Sequence, residues 1–378
     1  MEQSVNALPV RYRTQPTESG HRIGIATLNS ERSLNALSLA MVQSLTEQLT
    51  AWATDSQIVC VWLDGAGDKA FCAGGDIRAI YEDAKAHPGE VSTAVTEFFT
   101  QEYRLDHLIH RYAKPLIVWG SGIVMGGGLG LMAGASHRLV TDTSRIAMPE
   151  ISIGLFPDVG GTWFLNRMPG HCGRFLALTG YGMNGADARY VGLADHYVAS
   201  HRREGLLGAL SALGWHGSAR TDHDLLSSYL RGIEESDIAA LPASRLHRDQ
   251  GEIDQLMGGD SLATVAEALA SLESEQTWLL RARDSFAAGS PITAQLIWHQ
   301  LSAGAELSLE QVFRQELVWA VRCAQRGDFI EGVRALLIDK DRQPQWQYVT
   351  LAAVPDGLLD QLHSSPFAVD PLADLKEH

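Results

Sequence analysis

KPLIVWGSGIVMGGGLGL, residues 114–131, begins as an unbroken apolar run and ends in a glycine cluster that opens a stretch of small residues. PLIVWGSG (115–122) reads as a strand buried on both faces, and MGGGLGLMAGA as the glycine-rich start of a helix. The same alternation recurs to either side. RIGIATLN (22–29), IVCVWLDG (58–65) and HRLVTD (137–142) are strand-like. NALSLAMVQSLTEQLTAWAT (35–54) carries Leu37, Met41, Leu45 and Leu49 at about helical period, and residues 94–111 are helical in pattern too. Strands alternating with helices predict an α/β fold with helical crossovers.

From about residue 200 the patterns turn helical, as in SLATVAEALASLES and LSLEQVFRQELVWAVRCAQ. We therefore expect a core over 1–225 and a mainly helical region over 226–378, packed on that core or on a neighbouring subunit. The tail, VDPLADLKEH, is polar and is expected to fray.

Composition narrows the function. The chain has 378 residues, 45% of them hydrophobic, and a formal charge of −15. That charge argues against a general nucleic-acid binder or an anionic-membrane binder, which need a basic face. A small anion is still admissible, because a few local cations and helix N-termini can hold one. Cys60, Cys72, Cys172 and Cys323 are widely spaced with no CxxC pair, so they read as core residues of a reducing compartment. MEQSVNALPVRYRTQ has no apolar h-region, and no stretch approaches a membrane span. A soluble cytoplasmic protein is the expectation.

Two glycine clusters lie at strand ends: CAGGD (72–76) and MGGG (125–128). Glycine lets the backbone turn tightly and approach a ligand, leaving N–H groups as fixed donors for an anion or a polarised carbonyl. Close helix-on-strand packing explains either cluster taken alone; two such clusters favour a site. GSGIVMG is not GxGxxG, since position 125 is Met, and no GK dipeptide or GxSxG occurs. Backbone donors without an obvious Ser or Cys nucleophile remain. Cys72 has no His nearby in sequence and reads as packing.

MPEISIGLFPDVGG (148–161) then sets two carboxylates, Glu150 and Asp158, in surroundings too apolar for an ordinary wet loop. His107 and His110 stand i, i+3 on one helix, but no third ligand completes a metal site, so a solvent-facing or hydrogen-bonded role is expected. Glu102, in TQEYRLDHL, reads by itself as a solvated helical residue. Asp76 and Arg78 fit a helix start, and Arg78 or Lys340 could meet a phosphate.

AFCAGGDI, KPLIVWGSGIVMGGGLGL and MPEISIGLFPDVGGT, in this order, resemble the crotonase (enoyl-CoA hydratase/isomerase) superfamily. Within it they are most similar to the 3-hydroxyisobutyryl-CoA hydrolase branch. LNSERSLNALS fits the adenine-side CoA loop, and DFIEGVRALLIDKDRQPQW (328–346) fits that branch's C-terminal helix and tail. The resemblance implies stacked ββα turns and a bent CoA, with the thioester carbonyl held in an oxyanion hole by the N–H groups of Gly75 and Gly127. Hydratases of the superfamily use two glutamates, one in the pattern GGGxE and one ending QPE. Here Gly130 occupies the first position, Glu150 keeps the second, and Asp158 stands where hydratases usually carry glycine.

That exchange implies thioester hydrolysis. Glu150 would act as nucleophile or as general base, Asp158 would position substrate or move a proton, and Glu102 would reach the substrate pocket. The implied substrate is a short 3-hydroxyacyl-CoA, 3-hydroxyisobutyryl-CoA of valine breakdown foremost. CoA is then part of the substrate, and no cofactor or metal is expected. A homo-oligomer is compatible with the resemblance, since many members form trimers or hexamers. Two other readings stay open: a crotonase-type lyase or isomerase with Glu150 as its one acid–base group, and a non-catalytic acyl-CoA binder.

Overall fold

A computed structural model describes residues 8–376. The stretch read for a secretory signal lies outside the described residues as far as residue 7. The chain forms two compact units, each assembled from separated segments. Among the described residues, the first comprises 8–75, 104–146 and 183–245; the second comprises 76–103, 147–182 and 246–376.

The first unit carries the strands. In chain order they are β1 (Val10–Pro16), β2 (Arg22–Leu28), β3 (Ile58–Gly65), β4 (Ala70–Cys72), β5 (Leu116–Gly120), β6 (Ile123–Met125), β7 (His137–Val140), β8 (Arg145–Ala147) and β9 (His196–Tyr197). A six-stranded sheet runs β1-β2-β3-β5-β7-β9, and a three-stranded sheet runs β4-β6-β8. The β1–β2 pair is antiparallel, whereas β2–β3, β3–β5, β5–β7 and β7–β9 are parallel. Every residue of β3 and β5 is buried, as expected of parallel strands covered on both faces.

Trp62 and Trp119, from adjacent strands, stack with ring centroids 5.6 Å apart. They lie in a core with Ile25, Leu207, Leu226 and Leu230, the last three from the helices Arg203–Ser211 and Ala219–Asp237.

The strands expected at 22–29, 58–65, 115–122 and 137–142 all form, within two residues at each end. The first helix starts at Leu39 rather than residue 35, because Leu34 and Asn35 take left-handed backbone and the Ser38 hydroxyl caps the helix at the Met41 N–H. The expected helix over 94–111 is Thr93–His110. β4, β6 and β8 were not foreseen: at three residues each they are too short to show a period.

The second unit is built mainly of helices. The longest wholly within it is Leu309–Arg326, opened by a capping box between Ser308 and Gln311. Its Phe313 ring lies 5.8 Å from that of Tyr103, and its Trp319 ring meets Phe156 edge-on at 5.5 Å. Among the described residues no strand lies beyond Tyr197.

The frayed tail is corrected. Leu372 is fully buried and Leu375 nearly so. Arg314 donates to the carbonyls of Leu372, Ala373 and Leu375. The apolar residues of VDPLADLKEH recur at i, i+3, and that spacing outweighs the polar composition. All four cysteines are buried, and none is in a disulfide. No helix among the described residues is long and apolar enough to cross a membrane.

Candidate active site

In the first unit the two glycine clusters are neighbours. Gly74 takes φ +107°, and a Cβ there would sit 3.3 Å from the Met125 carbonyl oxygen and 3.8 Å from the Gly127 nitrogen. Leu37 N–H donates to the Gly74 carbonyl, pinning the first cluster. Gly126, with φ +48°, turns the chain out of β6 into the helix Gly127–Ala133. Gly127 is the first residue of that helix, where an N–H has no partner within the helix. A Cβ on Gly128 would come within 2.4 Å of the Cys72 carbonyl oxygen, so the helix start rests directly on the end of β4. Close packing and free donors are thus two aspects of one arrangement. Gly130 is buried in the same helix, so the position where a hydratase keeps a glutamate bears no side chain.

In the second unit three carboxylates are nearly sealed from solvent: Glu102 at 2%, Asp158 at 4% and Glu150 at 5% exposure. Glu150 opens a 3-10 turn, Glu150–Ile153, that Gly154 ends in left-handed backbone. A Cβ on Gly154 would strike the Asp328 backbone at 2.4 Å, so this turn too requires glycine at its end. Asp158 accepts a 2.7 Å hydrogen bond from the Tyr103 hydroxyl. Glu150 Oε2 and Glu102 Oε1 are buried with no hydrogen-bond partner. A buried acceptor without a donor is costly, and such atoms mark places where structure yields to function.

The electrostatics follow from that burial. Loss of water pushes the Glu150 carboxyl well above the usual carboxylate range, and the Asp158 charge pushes it further. Glu102 is raised in the same way, by burial first and Asp158 second. Asp158 is raised only to about 6, because the Tyr103 hydroxyl and a backbone N–H stabilise its ionised form against burial. The three acids therefore separate: Asp158 ionises most readily, while Glu150 and Glu102 hold their protons longer. Such a set can both take and give a proton near neutral pH.

The structure brings Glu102, Glu150 and Asp158 together in one unit, and the Gly75 and Gly127 clusters together in the other. The solvated reading of Glu102 is corrected. Val95, Phe99, Glu102, Asp106 and Ile109 form one buried stripe at heptad spacing, so Glu102 sits at a core position. Among the described residues no group of three or more His, Cys, Asp or Glu is placed to hold a metal. Arg78 donates to the Leu337 carbonyl, and Lys340 is exposed.

Two residues of this region escaped the sequence reading: Tyr103, which bonds Asp158, and Glu316, whose carboxylate accepts from the N–H groups of Gly160 and Thr162. Glu316 was detectable by the same signal as Glu102, since it falls on the buried stripe Leu309, Phe313, Glu316, Ala320, Cys323.

Comparison with known proteins places this geometry in a family. Residues 23–363 match the Enoyl-CoA hydratase/isomerase family. The mitochondrial 3-hydroxyisobutyryl-CoA hydrolase of Danio rerio is 41% identical over 344 residues, covering 91% of this chain and 87% of that one. The Homo sapiens protein of the same name is 36% identical over 344 residues, covering 88% and 84%. Among solved structures, an enoyl-CoA hydratase from Rhodobacter sphaeroides 2.4.1 superposes with a TM-score of 0.80 at 32% identity, covering 94% of this chain and 97% of that one. A carnitinyl-CoA dehydratase from Mycobacterium thermoresistibile gives 0.80 at 34%, covering 95% and 98%.

The cytoplasmic expectation is corrected by these relatives, which are mitochondrial by name. Cysteines outside disulfides suit any reducing compartment, so composition had no power to choose among them. By sequence and by fold alike, the chain belongs to the enoyl-CoA hydratase/isomerase family, on the branch of the 3-hydroxyisobutyryl-CoA hydrolases.

Proposed function

We propose that this protein hydrolyses the thioester of a short 3-hydroxyacyl-CoA, and that 3-hydroxyisobutyryl-CoA of valine breakdown is its substrate. The observation that carries this reading is the pairing of Glu150 with Asp158, two buried acids in one unit, in a chain with glycine at position 130. Hydration of a double bond uses two acid–base groups at positions of which this chain keeps one. The relatives named as hydrolases support the same choice.

In this reading the N–H groups of Gly75 and Gly127 take the thioester oxygen as its negative charge grows. Glu150 acts on the acyl carbon, directly through a mixed anhydride or by drawing a proton from the attacking water. Water supplies the new C–O bond, the C–S bond breaks, the proton given up by that water ends on the departing thiolate, and Asp158, which ionises most readily of the three acids, positions the substrate hydroxyl or the water. Glu102 faces the substrate's acyl end. CoA enters as part of the substrate, and the reaction needs no resident cofactor.

The test is thiol release, followed with a disulfide dye, across a small panel including 3-hydroxyisobutyryl-CoA, 3-hydroxypropionyl-CoA and an enoyl-CoA. Thiol release fastest with a 3-hydroxyacyl thioester is the expected result. Loss of enoyl absorbance without free thiol would instead make the protein a lyase. Selectivity within the panel should be modest, because one methyl in an apolar pocket is worth about 1–3 kcal/mol.

A further inference from the structure

Pro157–Thr162 is a constrained turn in the second unit, held by a buried carboxylate and a buried amide. Val159 has φ +52°, a left-handed conformation that a β-branched residue rarely takes. Gly160 follows at φ +86°, and Gly161 N–H closes the turn on the Asp158 carbonyl at 2.7 Å. Strain of this kind persists only where neighbours over-determine it.

Three donors converge on Glu316: Gly160 N–H at 2.7 Å on Oε2, and Thr162 N–H at 2.8 Å with Thr162 O–H at 2.7 Å on Oε1. From the helix Pro291–Ala303, Gln300 Nε2 donates to the Pro157 carbonyl at 2.6 Å and to Thr162 Oγ1 at 2.9 Å. Because Thr162 Oγ1 already accepts from Gln300, its proton is directed to Glu316. Each Glu316 oxygen therefore has to accept, which an amide at this position cannot do on both sides. Glu316 and Gln300 are both fully buried. A buried acid that serves only stability is readily replaced by apolar packing; this one holds the backbone directly after a strained residue adjoining Asp158, while Gln300 holds the Pro157 carbonyl before it.

We infer that Glu316 is a positioning residue that fixes the Asp158 carboxylate against Tyr103 by holding the Pro157–Thr162 turn in its left-handed form. This rests on the role given to Asp158 above. Glu316 touches no reacting atom; it acts through the backbone. A misplacement of about 1 Å at such a group is enough to cost around 10²-fold in rate.

The experiment compares the parent with Glu316→Gln and Thr162→Val in thiol-release kinetics over pH 5–9. Crystal structures of the three proteins accompany the kinetics. Glu316→Gln is expected to lower kcat ten- to hundredfold with KM changed less than threefold, and to move the acid limb of the pH profile. Thr162→Val, which removes one donor of three, should give a smaller loss in the same direction. In the Glu316→Gln structure Val159 should leave its left-handed conformation and Asp158 should part from the Tyr103 hydroxyl.

A parental kcat and parental acid limb in folded Glu316→Gln overturn the inference, as does a change in melting temperature alone. Should that variant not fold, an unchanged kcat and limb in Thr162→Val overturn it equally. A parent that releases no thiol sinks the proposed function instead. The structures then decide the matter for Glu316: an unmoved turn refutes its positioning role, and a relaxed turn supports it.

Discussion

The glycine turns and the carboxylate strip solve opposite problems. At Gly74, Gly127 and Gly128 side chains are removed so that backbone N–H groups can be presented, and a single added carbon at Gly128 would collide with Cys72. At Glu102, Glu150 and Asp158 charged side chains are retained where water is excluded, at a cost visible in their raised proton affinities. The first kind of site is stiff because its geometry is steric. The second is tunable, because neighbouring charges and donors decide which acid holds a proton.

The largest effect should come from the side-chain half. Glu150→Gln keeps the volume and removes the group that can attack or deprotonate. Thiol release should fall by about 10³–10⁴-fold, towards the upper end for an acid–base group, while calorimetric binding of the acyl-CoA persists. Near-parental turnover would leave the strip as packing.

Gly128→Ala tests the backbone half without touching either donor residue. The added Cβ must shift the helix start or β4, and displacing one donor typically costs about 10²–10³-fold. The loss should appear in kcat, since the donors matter most once charge has developed on oxygen. An active Gly128→Ala enzyme would mean that the glycines serve packing alone, and the contrast between the regions would dissolve.

The two regions were also unequally legible. The glycine clusters come shortly after the buried strands β3 and β5, and glycine is strong local punctuation, so their location could be read directly. Glu150 and Asp158 stood out by the apolar company they keep. Glu102 and Glu316 did not, although each occupies a buried position in a heptad stripe. The helical period was seen, but whether a given polar residue on a stripe faces core or water depends on what packs against it. Tyr103 was invisible for a related reason: its partner Asp158 is far along the chain, and no local pattern reports such a bond. The short strands β4, β6 and β8 depend on pairing with each other, which has no counterpart in local sequence.

Burial of Asp158 should also be measurable as stability. Its folded-state value, about 6, lies above the ordinary 3.8, so the folded form favours the protonated acid. That contribution is complete below about pH 4 and is lost as the pH rises through 6. Asp158→Asn, which can still accept from Tyr103, escapes the loss. Relative to the parent it should gain on the order of 1–3 kcal/mol at pH 7.5 and close to nothing at pH 4, as read by urea unfolding at both. A gain independent of pH would show that burial of the charge is not the cause. With hydrolysis abolished in the same variant, the strip would show stability given up for function.

The smallest change is Tyr103→Phe. The ring keeps its neighbours Phe99 and Phe313, each with its centroid 5.8 Å away, so the fold should hold. The lost hydroxyl is the chief influence drawing Asp158 down against burial, so its value should climb from about 6 by about one unit. If Asp158 works ionised, the acid limb of kcat moves up by that amount, and the rate at pH 6 falls severalfold while the rate at pH 8.5 barely changes. A limb that stays in place assigns the titration to Glu150 or Glu102, neither of which has Tyr103 as a hydrogen-bonded influence on its proton affinity, and takes Asp158 out of the acid limb.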